Sequence, residues 1–229
     1  MNRIVAGNFA AATEDTPHET KIGFDLFEHG IIKRRVWAGG SEEDASWRIG
    51  HSVVFPNTLR VGTGFQIRVP LDDTHTRHYH YVVYTPAPGV QAPKQEDIPH
   101  YEFPLTDKAG RNITDFTIGQ DMMAWSTQGP VAERHLEKLA ESDKGIIIYR
   151  RLLKEQMGIV QDGGEPMNVF RDPAKNQTLD LFQENVPERT AAMFKTRSIR
   201  DFGVQRYGPL VDAIDAMYAE SNAVLDKLR

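Results

Sequence analysis

From residue 22 to 85 the chain is made of short apolar runs and period-two alternation; beyond about residue 110 the period lengthens toward that of a helix. Residues 22–27 and 31–36 flank Glu28-His29-Gly30, a short turn, and predict a β-hairpin. An apolar run over 49–55 is closed by Pro56-Asn57, and 59–64 follows as a short strand. Phe65, Ile67 and Val69 alternate with Gln66 and Arg68, which reads as a strand with one wet face. Residues 76–85 set Tyr79, Tyr81 and Val83 against His78, His80 and Val82, and should pair antiparallel with that strand. Between 86 and 104, Pro86, Pro88, Pro93, Pro99 and Pro104 rule out regular structure and predict a long surface excursion.

In the second half, Phe116, Ile118, Met122, Met123 and Trp125 predict a buried helix over 114–127 that stops before Gln128-Gly129-Pro130. Ser142 is the expected N-cap of a helix lined by Ile146, Tyr149, Leu152, Leu153 and Met157, with Gly158 as its stop. Residues 161–209 show no sustained period, and Pro209 opens a C-terminal helix carrying Leu210, Ile214, Met217, Leu225 and Leu228. Strands followed by helices argue for an α+β fold. The expectation is one domain over 21–229 behind an irregular lead-in of 1–20. Its antiparallel sheet should pack on the helix that contains Asp121, with the C-terminal helix lying across it.

Composition narrows the chemistry. The 229 residues are 40% hydrophobic and 26% charged, enough for a core that needs no disulfide or structural metal. A net charge of −5 gives no basic field for nucleic acid or an anionic membrane. The absence of cysteine excludes disulfides, thiolate zinc sites, a cysteine nucleophile and any iron–sulfur cluster held by this chain's cysteines. No signal-like or membrane-length apolar run occurs, so the cytoplasm is the default location.

Histidines come next. His78 and His80 stand two apart on a strand and could share a metal, although a wet strand face beside Arg77 and Tyr84 explains them without one. His75 and His100 read as loop residues, and His135 as part of a solvated charged stretch. No dinucleotide fingerprint, P-loop, zincin or nucleophile-elbow motif is present. Asp121 differs, because its neighbours Ile118, Met122, Met123 and Trp125 are apolar and a buried carboxylate must find a cation, donors or a proton. Its residues alone leave it open as an ion-pair or surface residue, or as a metal or catalytic carboxylate.

The ordered string Gly119-Gln120-Asp121-Met122-Met123-Ala124-Trp125-Ser126-Thr127-Gln128-Gly129-Pro130, with Arg134, Glu137, Leu139 and Ser142-Asp143-Lys144-Gly145-Ile146, resembles the C-terminal catalytic domain of Rieske non-haem iron oxygenase α subunits. The phthalate dioxygenase-like branch matches best, and the resemblance extends from Lys21-Ile22-Gly23-Phe24-Asp25 through Tyr149-Arg150-Arg151-Leu152-Leu153 to Arg171-Asp172-Pro173. It implies a helix-grip domain that holds Fe(II) by two histidines and one aspartate, with Asp121 matching the aspartate. Such a facial triad leaves open positions for dioxygen and substrate. It also implies electrons from a Rieske segment or subunit fed by a reductase, and a homotrimeric assembly. The Rieske domain and the segment bearing the two histidines have no counterpart here, and His18 matches neither histidine.

Two functions are expected on this basis. One is the catalytic-domain part of an aromatic-acid hydroxylase or O-demethylase, incomplete without a histidine-bearing partner segment, or a truncation of one. The other is a non-catalytic helix-grip binding or assembly protein without the metal. Phe65, Ile67, Tyr81, Val83, Thr117 and Ile118 are the candidate substrate-pocket residues, although periodicity does not say which sheet face is covered.

Overall fold

In the computed structural model, residues 18–61, 64–182 and 204–227 are described. They form an α+β fold that divides into two compact units, neither contiguous in sequence. One gathers described residues of Glu14–Val82 and Glu133–Asn185; the other gathers those of Val83–Ala132 and Val186–Arg229. The lead-in before His18 and Leu228 lie outside the described residues.

The first unit is a six-stranded antiparallel sheet in sequential order: β1 (Glu19–Phe27), β2 (Gly30–Trp37), β3 (His51–Val54), β4 (Thr58–Val61), β5 (Gly64–Pro70) and β6 (Thr76–Val82). The period-2 segments thus pair as the sequence leads one to expect. A short helix, α1 (Ala45–Arg48), interrupts β2 and β3 and sets Trp47 against Gly23. The β5–β6 turn is held by Asp72, which accepts from the Thr74 and His75 backbone N–H groups, each at 2.8 Å.

Register identifies which side chains share a face. Leu26, Ile31, Val53, Leu59, Gln66 and His80 form one row across all six strands. Phe65 with Tyr81, and Ile67 with Tyr79, lie on the other side. The helix packed on this sheet within the unit is α3 (Lys144–Gln161), which contacts β1 and β2. Gly145 permits the approach, since a Cβ there would collide with the Phe24 ring on the Leu26 side of the sheet.

The buried stripe of α3 is Gly145, Leu152 and Gln156, whereas Ile146 and Met157, expected to line it, are exposed. Gln156 is useful inside because its Oε1 accepts the Met167 N–H at 2.6 Å. Asp143 rather than Ser142 is the N-cap residue, after a 3-10 turn over Glu141–Asp143. The helix also passes Gly158. It ends at Gln161 because Gly163, at φ 81°, can adopt the left-handed conformation that lets its N–H reach Val160 O and the Gly164 N–H reach Ile159 O.

In the second unit, α2 (Thr117–Ser126) and α4 (Val211–Lys227) are joined to long irregular segments. Among the described residues its apolar packing falls into two small groups. Ala87, Val90, Val211, Ile214, Met217 and Tyr218 form one, edged by Leu210 and Leu225; Phe116 and Ile118 form the other, with Phe103, Ile113 and Met122 against them. The expected excursion over 86–104 is irregular but not merely superficial, since Ala87 and Val90 are buried and the Ala87 N–H donates to Ser221 Oγ at 3.0 Å. No helix among the described residues is long and apolar enough to cross a membrane.

Candidate functional site

Asp121 sits in the middle of α2, whose position is set by its first turn. Phe116 is 2% exposed, and a Cβ at Gly119 would collide with Ile113 O and the Phe116 ring, so helix and preceding strand-like segment meet backbone to backbone. Gln120 Nε2 donates to Thr114 O at 2.9 Å, and Thr127 Oγ1 caps the other end on Met123 O at 2.7 Å. The helix is amphipathic rather than buried all round: Ile118 and Gly119 face inward, while Trp125 is 40% exposed. Asp121 is on the exposed side, whereas its apolar neighbours point to a buried carboxylate. Ile118 and Gly119 occupy the stripe that burial reserves for apolar or small residues, leaving Asp121 to the wetter flank.

Among the described residues no group of three or more His, Asp or Glu side chains is arranged to hold a metal ion. The described donors therefore do not by themselves fit a two-histidine, one-carboxylate iron site. His75 is exposed and pairs with Asp72, His100 is exposed, and His135 lies in an exposed 3-10 turn over Arg134–Leu136.

The six candidate pocket residues divide between the units: Phe65, Ile67 and Tyr81 belong to the sheet unit, and Val83, Thr117 and Ile118 to the other. Phe65, Ile67 and Tyr81 do share one sheet face, but it is the more open one, with Tyr81 44% exposed. Ile118 is buried in its own cluster with Phe116.

The opposite face of β5–β6 holds what periodicity misassigned to solvent. Gln66 is 7% exposed and His78 and His80 are half-buried, although Gln66 and Arg68 read as the wet side of the strand. Register explains the inversion, because Gln66 and His80 continue the row of Leu59, Val53 and buried Ile31. The imidazoles of His78 and His80 stack with centroids 6.3 Å apart, and Arg68 Nη2 donates to Gln66 Oε1 at 2.8 Å. Burial, then the Arg68 charge, then His80 push His78 down to about 4; burial and Arg68 also lower His80. Both rings are thus neutral near pH 7, one N–H donor each. The His80 Nδ1 is buried with no hydrogen-bond partner among the described residues.

Residues 105–206 match the family model described as LigXa C-terminal domain-like. This match, and the similarity to the oxygenase subunits that follow, are consistent with a C-terminal catalytic domain of a Rieske-type oxygenase subunit. Over 166 residues, 72% of the chain and 39% of the relative, it is 34% identical to the 5,5'-dehydrodivanillate O-demethylase oxygenase subunit of Sphingobium sp. (strain NBRC 103272 / SYK-6). It is 32% identical over 163 residues to the phenoxybenzoate dioxygenase subunit alpha of Ectopseudomonas oleovorans, covering 67% of the chain and 38% of that protein. It is 29% identical over 122 residues to the phthalate 4,5-dioxygenase oxygenase subunit of Pseudomonas putida, covering 42% and 27%. The chain thus spans at most 39% of the length of these relatives.

Proposed function

We propose that this chain is the catalytic-domain part of an oxygenase that hydroxylates or O-demethylates an aromatic acid with dioxygen. Asp121 is the one iron ligand it supplies, completed by a histidine-bearing segment. The observation that carries this reading is the 34% identity over 72% of the chain to an aromatic O-demethylase oxygenase subunit. Electrons come from a Rieske segment or subunit served by a reductase, and the working form is a homotrimer.

A carboxylate alone holds Fe(II) weakly against water, so the site needs the histidine-bearing segment to hold iron. The test is iron content after co-expression with the part of the dehydrodivanillate O-demethylase subunit that this chain does not match. The wild-type pair should retain iron through purification, Asp121→Ala should lose at least ten-fold in Fe(II) affinity, and Asp121→Glu should recover part of it. Iron uptake indifferent to Asp121→Ala would remove the reading.

The exposure of Asp121 favours a second reading, a binding or assembly protein that works without the metal. That reading expects aromatic-acid binding in the co-expressed pair with no iron retained.

A further inference from the structure

We propose that Arg68, Gln66, His78 and His80 form the anchor for the carboxylate group of an aromatic acid, a role that rests on the oxygenase reading and specifies which groups recognise its substrate. The register sets all four on one face of the β5–β6 ribbon, Gln66 opposite His80 and Arg68 opposite His78. A planar guanidinium suits the two oxygens of a carboxylate, and neutral imidazoles add N–H donors without adding repulsion.

Three features separate this group from an ordinary solvated strand face. Gln66 is almost fully buried, and its Oε1 accepts from Arg68 Nη2 at 2.8 Å, which fixes one edge of the guanidinium. The His80 ring keeps a buried nitrogen without a hydrogen-bond partner among the described residues, and such a group costs free energy unless something fills the role. Both histidines are held neutral by burial and by a nearby positive charge, the field that a bound anion would reverse. The other basic group, Arg150, Arg151 and Lys154 beside Ile147 on α3, has none of these features; it lies in an open surface depression, and Glu137 holds Arg150 through two hydrogen bonds of 2.7 and 2.8 Å.

The anchor is tested on the full chain, with benzoate as probe and benzamide as its neutral isostere. With histidine labelled by nitrogen-15, saturating benzoate should move the imidazole signals of His78 and His80, and benzamide should leave them in place. Arg68→Met and His80→Phe should each weaken benzoate binding about ten-fold by calorimetry, and Arg68→Lys less, since it keeps the charge and loses the fork. Arg68→Lys also keeps the test decisive if Arg68→Met fails to fold. Equal response to benzamide, unchanged affinity in the folded variants, or signal changes confined to other histidines would overturn the proposal. The outcome is separable from the iron test: benzoate binding here without Asp121-dependent iron leaves an anion site and removes the oxygenase reading. Asp121-dependent iron with no response at these histidines does the reverse.

Discussion

The two units reach stability by different routes. In the sheet unit every interior strand is bonded on both sides, and buried positions such as Ile31, Ile32 and Ser52 are spread along one continuous ladder. Among the described residues of the other unit, buried apolar side chains fall into two small separate groups, and that around α2 has Phe116 and Ile118 inside. Loss of one contact in the ladder is shared among neighbours, whereas the α2 group has few others to share it.

The contrast is tested most strongly by Phe116→Ala, which should cost about 3–5 kcal/mol in urea unfolding because the ring is 2% exposed and its space cannot readily close. Amides of α2 should lose exchange protection with it. Ile31→Val, one methyl group from the middle of the ladder, should cost only about 0.5–1.5 kcal/mol and leave β2 and β3 protected. Protection of α2 that survives Phe116→Ala would erase the difference between the two routes.

Asn168 shows that the sheet unit, too, depends on single residues where the ladder ends. At φ 66° its side chain donates to His29 O at 3.0 Å and Phe55 O at 2.6 Å, and its Oδ1 lies 2.9 Å from His29 Nδ1. Asn168→Ala should cost about 2–4 kcal/mol by stranding those groups and placing an alanine in the left-handed region. Asn168→Gly, free of the backbone penalty, should cost less by about 1 kcal/mol. Equal losses would assign the whole effect to the hydrogen bonds.

The strands were legible because alternation and turns are local, and the pairing of β5 with β6 followed from them. Which face is covered was not, since Gln66 is buried by its place in a six-strand row that no single strand reveals. The end of α3 was misplaced at Gly158 because a glycine within a helix and one that ends it look alike, and only the backbone bonds of Gly163 and Gly164 distinguish them. Asn168 gave no signal, as its partners lie more than a hundred residues away. Asp121 was singled out by its apolar neighbours, yet its exposure follows from the helix stripe. The polar group on β5–β6 was dispersed among residues read one at a time.

The smallest expected effect concerns the covered polar face itself. His78 has a folded-state value of about 4, below its ordinary 6.5, so the unfolded chain takes up a proton first as the pH falls. Its contribution to stability is therefore fully present above about pH 6.5 and is lost progressively between 6.5 and 4. Arg68 and His80 are the charged and titratable neighbours that hold it down, after burial itself. Because the ring is only half-buried, solvent screening reduces the full linkage to about 1 kcal/mol across that window. His78→Gln keeps a polar group in place and removes the titration, so unfolding free energies measured from pH 7 to 4.5 should fall less steeply than in wild type by that amount. If His78→Gln keeps the wild-type slope, His78 is not held neutral in the fold and the covered face is as wet as its sequence suggested.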